Sequence, residues 1–270
     1  MTRHTIGWWP PESAQQVLEL VDDDTHLVHL STSHATGLTG SVSSVDVADY
    51  RNPYEWSKAA CERLIHERPT PSTIVRFPTV FGRRTDGRIE RISNFYKLFP
   101  ALAGGLLPAI IGLPNALLDM VPVDDIAARI ASLVRGPRPD ETTTIALGRG
   151  SEAPRVSAVI DHVFEALSAW RDERGVPPLE QPPLLAPERW HRFFLPFARE
   201  HLSPLQLRTI DVFGGFTAYF SILEPFPVTD VVDDVVPVIE RCVRWWADTD
   251  PKRAAAIPEP WALLPGATSS

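Results

Sequence analysis

"HLVHLST", residues 26–32, is a short apolar run that ends in two hydroxyl residues. A run of this length predicts a buried β-strand. The elements after this strand decide the kind of sheet. "NPYEWSKAACERL" (52–64) opens a helix over residues 52–67, which Pro69 and Pro71 terminate. "STIVRFPTVFG" (72–82) is a second strand, rich in β-branched residues until Pro78. Strand, helix and strand in that order call for a parallel sheet with helices on its faces. The pattern continues with a helix over 88–99, an amphipathic helix over 124–136 that starts on aspartates, a strand over 142–148 and a helix over 155–171. The predicted class is α/β.

The chain has 270 residues, of which 44% are hydrophobic and 22% charged, enough for one large or two smaller domains with a real core. A net charge of −8 argues against nucleic acid as a partner. Cys61 and Cys242 are too few for a disulfide framework or a cysteine metal cluster, and no metal site is expected. The N-terminal "MTRHTIGWWPPESAQQ" lacks the apolar core of a signal peptide, so a reducing, cytoplasmic setting is the expectation. Residues 98–118, "LFPALAGGLLPAIIGLPNALL", hold no charge, but Pro100, Pro108 and Pro114 alternate with Gly104, Gly105 and Gly112. That composition predicts an irregular segment covering a pocket, not a transmembrane span. Past about Gly175 the character changes: prolines crowd 176–188, aromatic-rich helical segments come next, and 228–250 has apolar residues at helical spacing. The expected organisation is therefore a partial catalytic domain over 1–175, a helical region over 176–254 and a loose tail over 255–270.

The chemistry starts from Tyr54 and Lys58, whose spacing of four places them a turn apart on one helical face. In a parallel sheet, ligands sit at the carboxyl ends of strands, and Thr32 lies at such an end. A phenol titrates near 10, so acting near pH 7 needs roughly 4 kcal/mol of help. A lysine ammonium beside it supplies part of that. A threonine hydroxyl can hold a carbonyl oxygen against the phenol. Beside these readings stand plainer ones. His29 and His34 read as packing histidines, Asp124 and Asp125 complement a helix N-terminus with Asp119 nearby, Cys61 is a small buried residue, and Trp245 and Trp246 are core or interface aromatics.

This arrangement resembles the extended short-chain dehydrogenase/reductase superfamily, with its Ser/Thr, Tyr and Lys in the Tyr-x-x-x-Lys pattern. "LDMVPVDDIA" (118–127) and "VHLSTSHATG" (28–37) are similar to the male-sterility branch, that of fatty acyl-CoA reductases and thioester reductase domains. The resemblance covers residues 15–150 best. It implies a truncated Rossmann-like sheet with a mainly helical C-terminal substrate region, and reduction of an acyl thioester or related carbonyl with NAD or NADP. It implies Thr32, Tyr54 and Lys58 as catalytic residues, and Tyr54, Lys58, Pro78, Thr79 and Val80 against the cofactor. Ser33 and His34 lie beside them as substrate contacts. Leu106, Leu107, Ile110 and Ile111 are expected to line a hydrophobic cleft opening toward Tyr54, where an acyl chain gains about 0.8 kcal/mol per buried methylene.

One departure stands out. The superfamily's Gly-x-x-Gly-x-x-Gly loop, which admits a pyrophosphate to a helix N-terminus, is missing, since the nearest spacing, Gly37 and Gly40, has Ser43 in third place. The sequence therefore reads as the back two-thirds of a reductase, binding the dinucleotide weakly alone. Strand 26–31 would then offer an unpaired apolar edge, covered by an upstream polypeptide, a second copy, or Trp8 and Trp9. The alternatives are a non-redox acid–base enzyme on the same scaffold and a catalytically silent remnant.

Overall fold

The computed structural model describes residues 11–22, 24–90, 94–201, 207, 210, 214 and 217–258. Its strands in chain order are β1 (Leu27–Thr32), β2 (Ser72–Phe77), β3 (Thr79–Phe81), β4 (Ile110–Ile111), β5 (Met120–Pro122), β6 (Thr143–Gly148), β7 (Leu184–Leu185) and β8 (Asp230–Val231). The helices are α1 (Pro11–Glu19), α2 (Pro53–His66), α3 (Asn94–Ala103), α4 (Val123–Arg135), α5 (Val156–Asp172), α6 (Leu195–His201), α7 (Val236–Thr249) and α8 (Pro251–Ala254). The chain forms two compact units, each assembled from three stretches. The first takes 1–78, 125–150 and 226–232; the second takes 79–124, 151–225 and 233–270.

The first unit is built on a parallel sheet in the order β1-β2-β6-β8. Parallel neighbours need a crossover, and α2 supplies the one between β1 and β2. Burial tracks the strand order: β2 is buried from Ser72 to Val75, whereas Leu27, Val28 and His29 of β1 are half-buried and Leu30 is exposed. Among the described residues β1 pairs on one edge only. Trp8 and Trp9, a candidate cover for the other edge, lie outside the described residues.

The second unit is mainly helical, with the short parallel pairs β3–β5 and β4–β7. Helix α5 packs on α7, burying Val163, Leu167 and Trp170 together with Ile239, Cys242, Val243 and Trp246. Helix α3 adds Tyr96 and Phe99, whose rings meet Trp245 and Trp246 with centroids 5.7 and 5.6 Å apart. The tryptophan pair is thus an aromatic core element, as its composition suggested. Among the described residues no helix is long and apolar enough to cross a membrane.

Several expected boundaries move. The strand expected over 72–82 breaks at Pro78 into β2 and β3, which belong to different sheets, because proline offers no amide to a ladder. The helix expected over 88–99 is observed as Asn94–Ala103, with 91–93 outside the described residues. It therefore claims the start of the segment expected to be irregular, and Pro100 lies inside it. Burial of Phe99, Leu102 and Ala103 outweighs the ~3 kcal/mol that an internal proline costs. The helix expected over 228–250 begins only at Val236, where Pro237 suits a first turn, and residues 230–231 pair as β8 instead.

Candidate active site

Thr32 is the last residue of β1 and also caps the 3-10 turn Ser33–Thr36, its Oγ1 accepting from the His34 amide at 3.3 Å. Thr32, Ser33 and His34 are all buried. The turn ends on Gly37 at φ +58, where a Cβ would meet the Asp49 carbonyl oxygen at 2.4 Å, so only glycine fits. From there the loop to Tyr50 is fastened onto α2. Arg63 Nη1 donates to the Val42 and Ser44 carbonyls at 2.7 Å, Trp56 Nε1 to the Val45 carbonyl at 3.0 Å, and Arg51 Nη1 to the Gly37 carbonyl at 3.1 Å.

Helix α2 starts on a side-chain cap: Asn52 Oδ1 accepts from the Glu55 amide at 3.0 Å, Pro53 takes the first helical turn, and buried Glu55 accepts from the Arg51 amide at 3.1 Å. Its inward face is small (Ser57, Ala59, Ala60, Cys61), which lets the helix lie close. Tyr54 and Lys58 are half-buried on it. The Thr32 side chain is the neighbour that favours ionisation of the Tyr54 hydroxyl.

The electrostatics have a definite sign. Burial, and next the Glu55 carboxylate, push the Tyr54 hydroxyl above its ordinary value, and the Thr32 side chain only partly opposes them. Lys58 is pulled below the usual lysine range by burial, against the opposing effects of Cys61 and Glu62. Its Nζ donates to the Leu30 carbonyl at 3.1 Å, so the ammonium is tied to the strand. His29 is lowered to about 4, by burial and by Lys58, and His34 to about 3, by burial and by Arg51. Both are neutral packing groups, and the His34 ring meets Phe226 edge-on at 4.9 Å.

The remaining expected positions divide between the units. Pro78 is the buried residue that ends β2. Thr79 and Val80 open β3 in the second unit, paired with Met120 and Val121. Also in the second unit, Leu107, Ile110 and Ile111 line one apolar hollow of about 20 Å³ with Trp190 and Phe220, while Leu106 is half exposed and outside it. An adjoining hollow of about 30 Å³ shares Leu98, Ile110 and Phe220. Each is about the size of one or two water molecules as it stands. Cys61 is buried, as expected of a small apolar residue. Asp124, expected to serve the start of α4, also accepts from the Arg84 amide at 2.9 and 3.0 Å. Among the described residues no group of three metal-ligating side chains gathers.

The sequence reading missed Glu62 and Arg76. Glu62 lies four residues past Lys58, and Arg76 is the one charge in the strand "STIVRF". Either oddity was a usable signal.

Residues 12–130 match the family described as male sterility protein. No curated protein matches the sequence. The fold is similar to that of the terminal R domain from the myxalamid PKS-NRPS biosynthetic pathway, with TM-score 0.56 and 17% identity over 93% of this chain and 67% of that one. It is also similar to a UDP-N-acetylglucosamine 4-epimerase from Methanobrevibacter ruminantium M1, with TM-score 0.52 and 16% identity over 88% and 68%. A dTDP-glucose 4,6-dehydratase from Bacillus anthracis, solved with NAD, gives TM-score 0.52 and 15% identity over 88% and 68%. The chain spans about two thirds of the length of these proteins. At such identities the likeness is one of fold. The segment that matches the male sterility protein family, residues 12–130, is also the one that holds Thr32, Tyr54 and Lys58 on β1 and α2.

Proposed function

We propose that this chain carries the proton-transfer half of a nicotinamide-dependent reductase acting on an acyl thioester or a related carbonyl. The observation that carries the reading is buried Thr32 at the carboxyl end of β1, with Tyr54 and Lys58 one turn apart at the start of α2. Bound NADH or NADPH would supply the hydride. The residues for its nicotinamide end fit: Tyr54 and Lys58 lie on one helix face, and the Thr32–Tyr54 pair leaves a hydroxyl couple to meet a carbonyl oxygen. Pro78, Thr79 and Val80 complete the proposed cofactor contacts. For the pyrophosphate end the fit fails, since the sequence offers no Gly-x-x-Gly-x-x-Gly turn.

Tyr54 keeps its proton at neutral pH, because burial and Glu55 hold it above the ordinary tyrosine value. It is therefore an acid in the resting site, which suits reduction: the phenol gives its proton to the carbonyl oxygen as negative charge develops there. Thr32 holds that oxygen, with Ser33 and His34 beside it. Lys58, anchored on the Leu30 carbonyl, stabilises the phenolate left behind. The acyl chain is assigned to the segment carrying Leu106, Leu107, Ile110 and Ile111, where Leu98, Ile110 and Phe220 must part to join the two hollows. Among the described residues β1 pairs on one side only, which supports a polypeptide partner on its other edge, either an upstream segment or a second copy.

The test is a substrate comparison. The purified chain, with NADPH in excess, is offered acyl-coenzyme A thioesters of increasing length and a set of nucleotide sugars. Aldehyde or alcohol formed from thioesters, rising with chain length, is the expected result. Conversion of nucleotide sugars alone would remove the acyl assignment.

A further inference from the structure

Glu62 has no role in the acid–base reading, yet its side chain is completely enclosed. It lies two turns along α2 from Tyr54 and one from Lys58, so the three share a helical face. Its oxygens take hydrogen bonds from two strands at once. Arg76 of β2 donates through Nε to Oε1 and Oε2 at 3.0 and 3.1 Å, and through Nη2 to Oε2 at 2.5 Å. Ser31 of β1 donates its hydroxyl to Oε1. Ser31 and Arg76 are register partners in the β1–β2 ladder, one step before the pair Thr32 and Phe77. A single carboxylate thus ties the helix to both strands at the level just below Thr32.

We propose that Glu62 is a positioning residue for this site: it fixes the height and rotation of α2 over the β1–β2 ladder and so brings the Tyr54 hydroxyl to Thr32. The proposal rests on the reading of Thr32 and Tyr54 as the acid–base pair. An apolar side chain of similar size would fill the same space without desolvating a charge. It would not accept bonds from two strands in fixed directions, which is what a bidentate guanidinium–carboxylate pair supplies. A second consequence is electrostatic. Lys58 is faced by Cys61 and Glu62 from its own helix and by neutral His29 from β1, with Arg76 behind Glu62. Of these, the Glu62 carboxylate supports the buried ammonium, and removing it exposes Lys58 to the Arg76 charge.

The experiment is NMR of the whole chain labelled at tyrosine Cζ and lysine Nζ. Only four tyrosines and three lysines (Lys58, Lys97 and Lys252) contribute, and Tyr54→Phe and Lys58→Arg assign the lines. Thr32→Val calibrates the Tyr54 line for loss of the Thr32 hydroxyl. Folded Glu62→Leu is expected to place the Tyr54 line where Thr32→Val places it, and to lower the Lys58 titration midpoint. Ser31→Ala, which removes one tie only, is expected to move the Tyr54 line part of the way, and decides the matter if Glu62→Leu does not fold. A merely structural Glu62 would lower the melting temperature while the folded variants kept the parent's Tyr54 line and Lys58 midpoint, and that result overturns the proposal. A Tyr54 line unmoved by Thr32→Val itself would instead overturn the acid–base reading beneath it.

Discussion

Tyr54 and Lys58 are held in a setting that favours neutral groups, and the two neighbouring histidines show how strongly. His34, lowered to about 3, and His29, lowered to about 4, are uncharged in the folded chain at any pH near neutrality. An unfolded histidine titrates near 6.5, so below that value the unfolded state takes up protons that the folded state refuses. Folding stability is therefore fully present above 6.5 and is lost as the pH falls toward 4, by at most about 1.4 kcal/mol per pH unit for each histidine. Melting temperatures measured between pH 7 and pH 5 should fall steadily, and His34→Gln should roughly halve that slope. A slope unchanged in the variant would mean that His34 is protonated in the fold. At this scale the sequence was informative where spacing carries the signal: the places of Thr32 at a strand end and of Tyr54 and Lys58 a turn apart on a helix were legible, because local periodicity fixes them. The His34–Phe226 contact was not, because nothing local links residues so far apart.

Helix α2 is held by polar ties along its length. Trp56 and Arg63 bond it to the loop 37–50, and Glu62 joins it to two strands. Gly37 is the hinge of the first set, with a left-handed backbone and no space for a Cβ beside the Asp49 carbonyl. Gly37→Ala should destabilise the chain by about 1–3 kcal/mol, read as a lower urea midpoint at unchanged slope. A midpoint within error of the parent would show that the turn relaxes freely. The main elements β1, α2, β2, α4, β6 and α5 were legible because each is long enough to show a period. The two-residue strands β4, β7 and β8 show none, and their pairing is decided by long-range packing. Pro100 misled for the opposite reason: a local rule gave way to burial of the face around it.

At the scale of the whole molecule, a four-stranded parallel sheet with β1 on its rim carries the candidate site at that rim strand's carboxyl end. Parallel sheets are normally covered and paired, whereas among the described residues β1 pairs on one side only and exposes Leu30. The sequence raised the expectation of such an edge, since it lacks a glycine loop beside an otherwise ordered set of motifs. It could not announce the division into two interleaved units, because chain order says nothing of which stretches return to the same core. The central claim is that Tyr54 gives a proton to a carbonyl that receives a hydride. The most direct test is transfer of deuterium from NADPH deuterated at C4 to an acyl-coenzyme A, measured by mass spectrometry of the product, with millimolar cofactor to offset weak binding. The account predicts deuterium in the aldehyde or alcohol formed by the parent chain, and at least ~100-fold less with Tyr54→Phe, the lower range for loss of a general acid. Label transferred equally by the parent and Tyr54→Phe, or by neither, would contradict it.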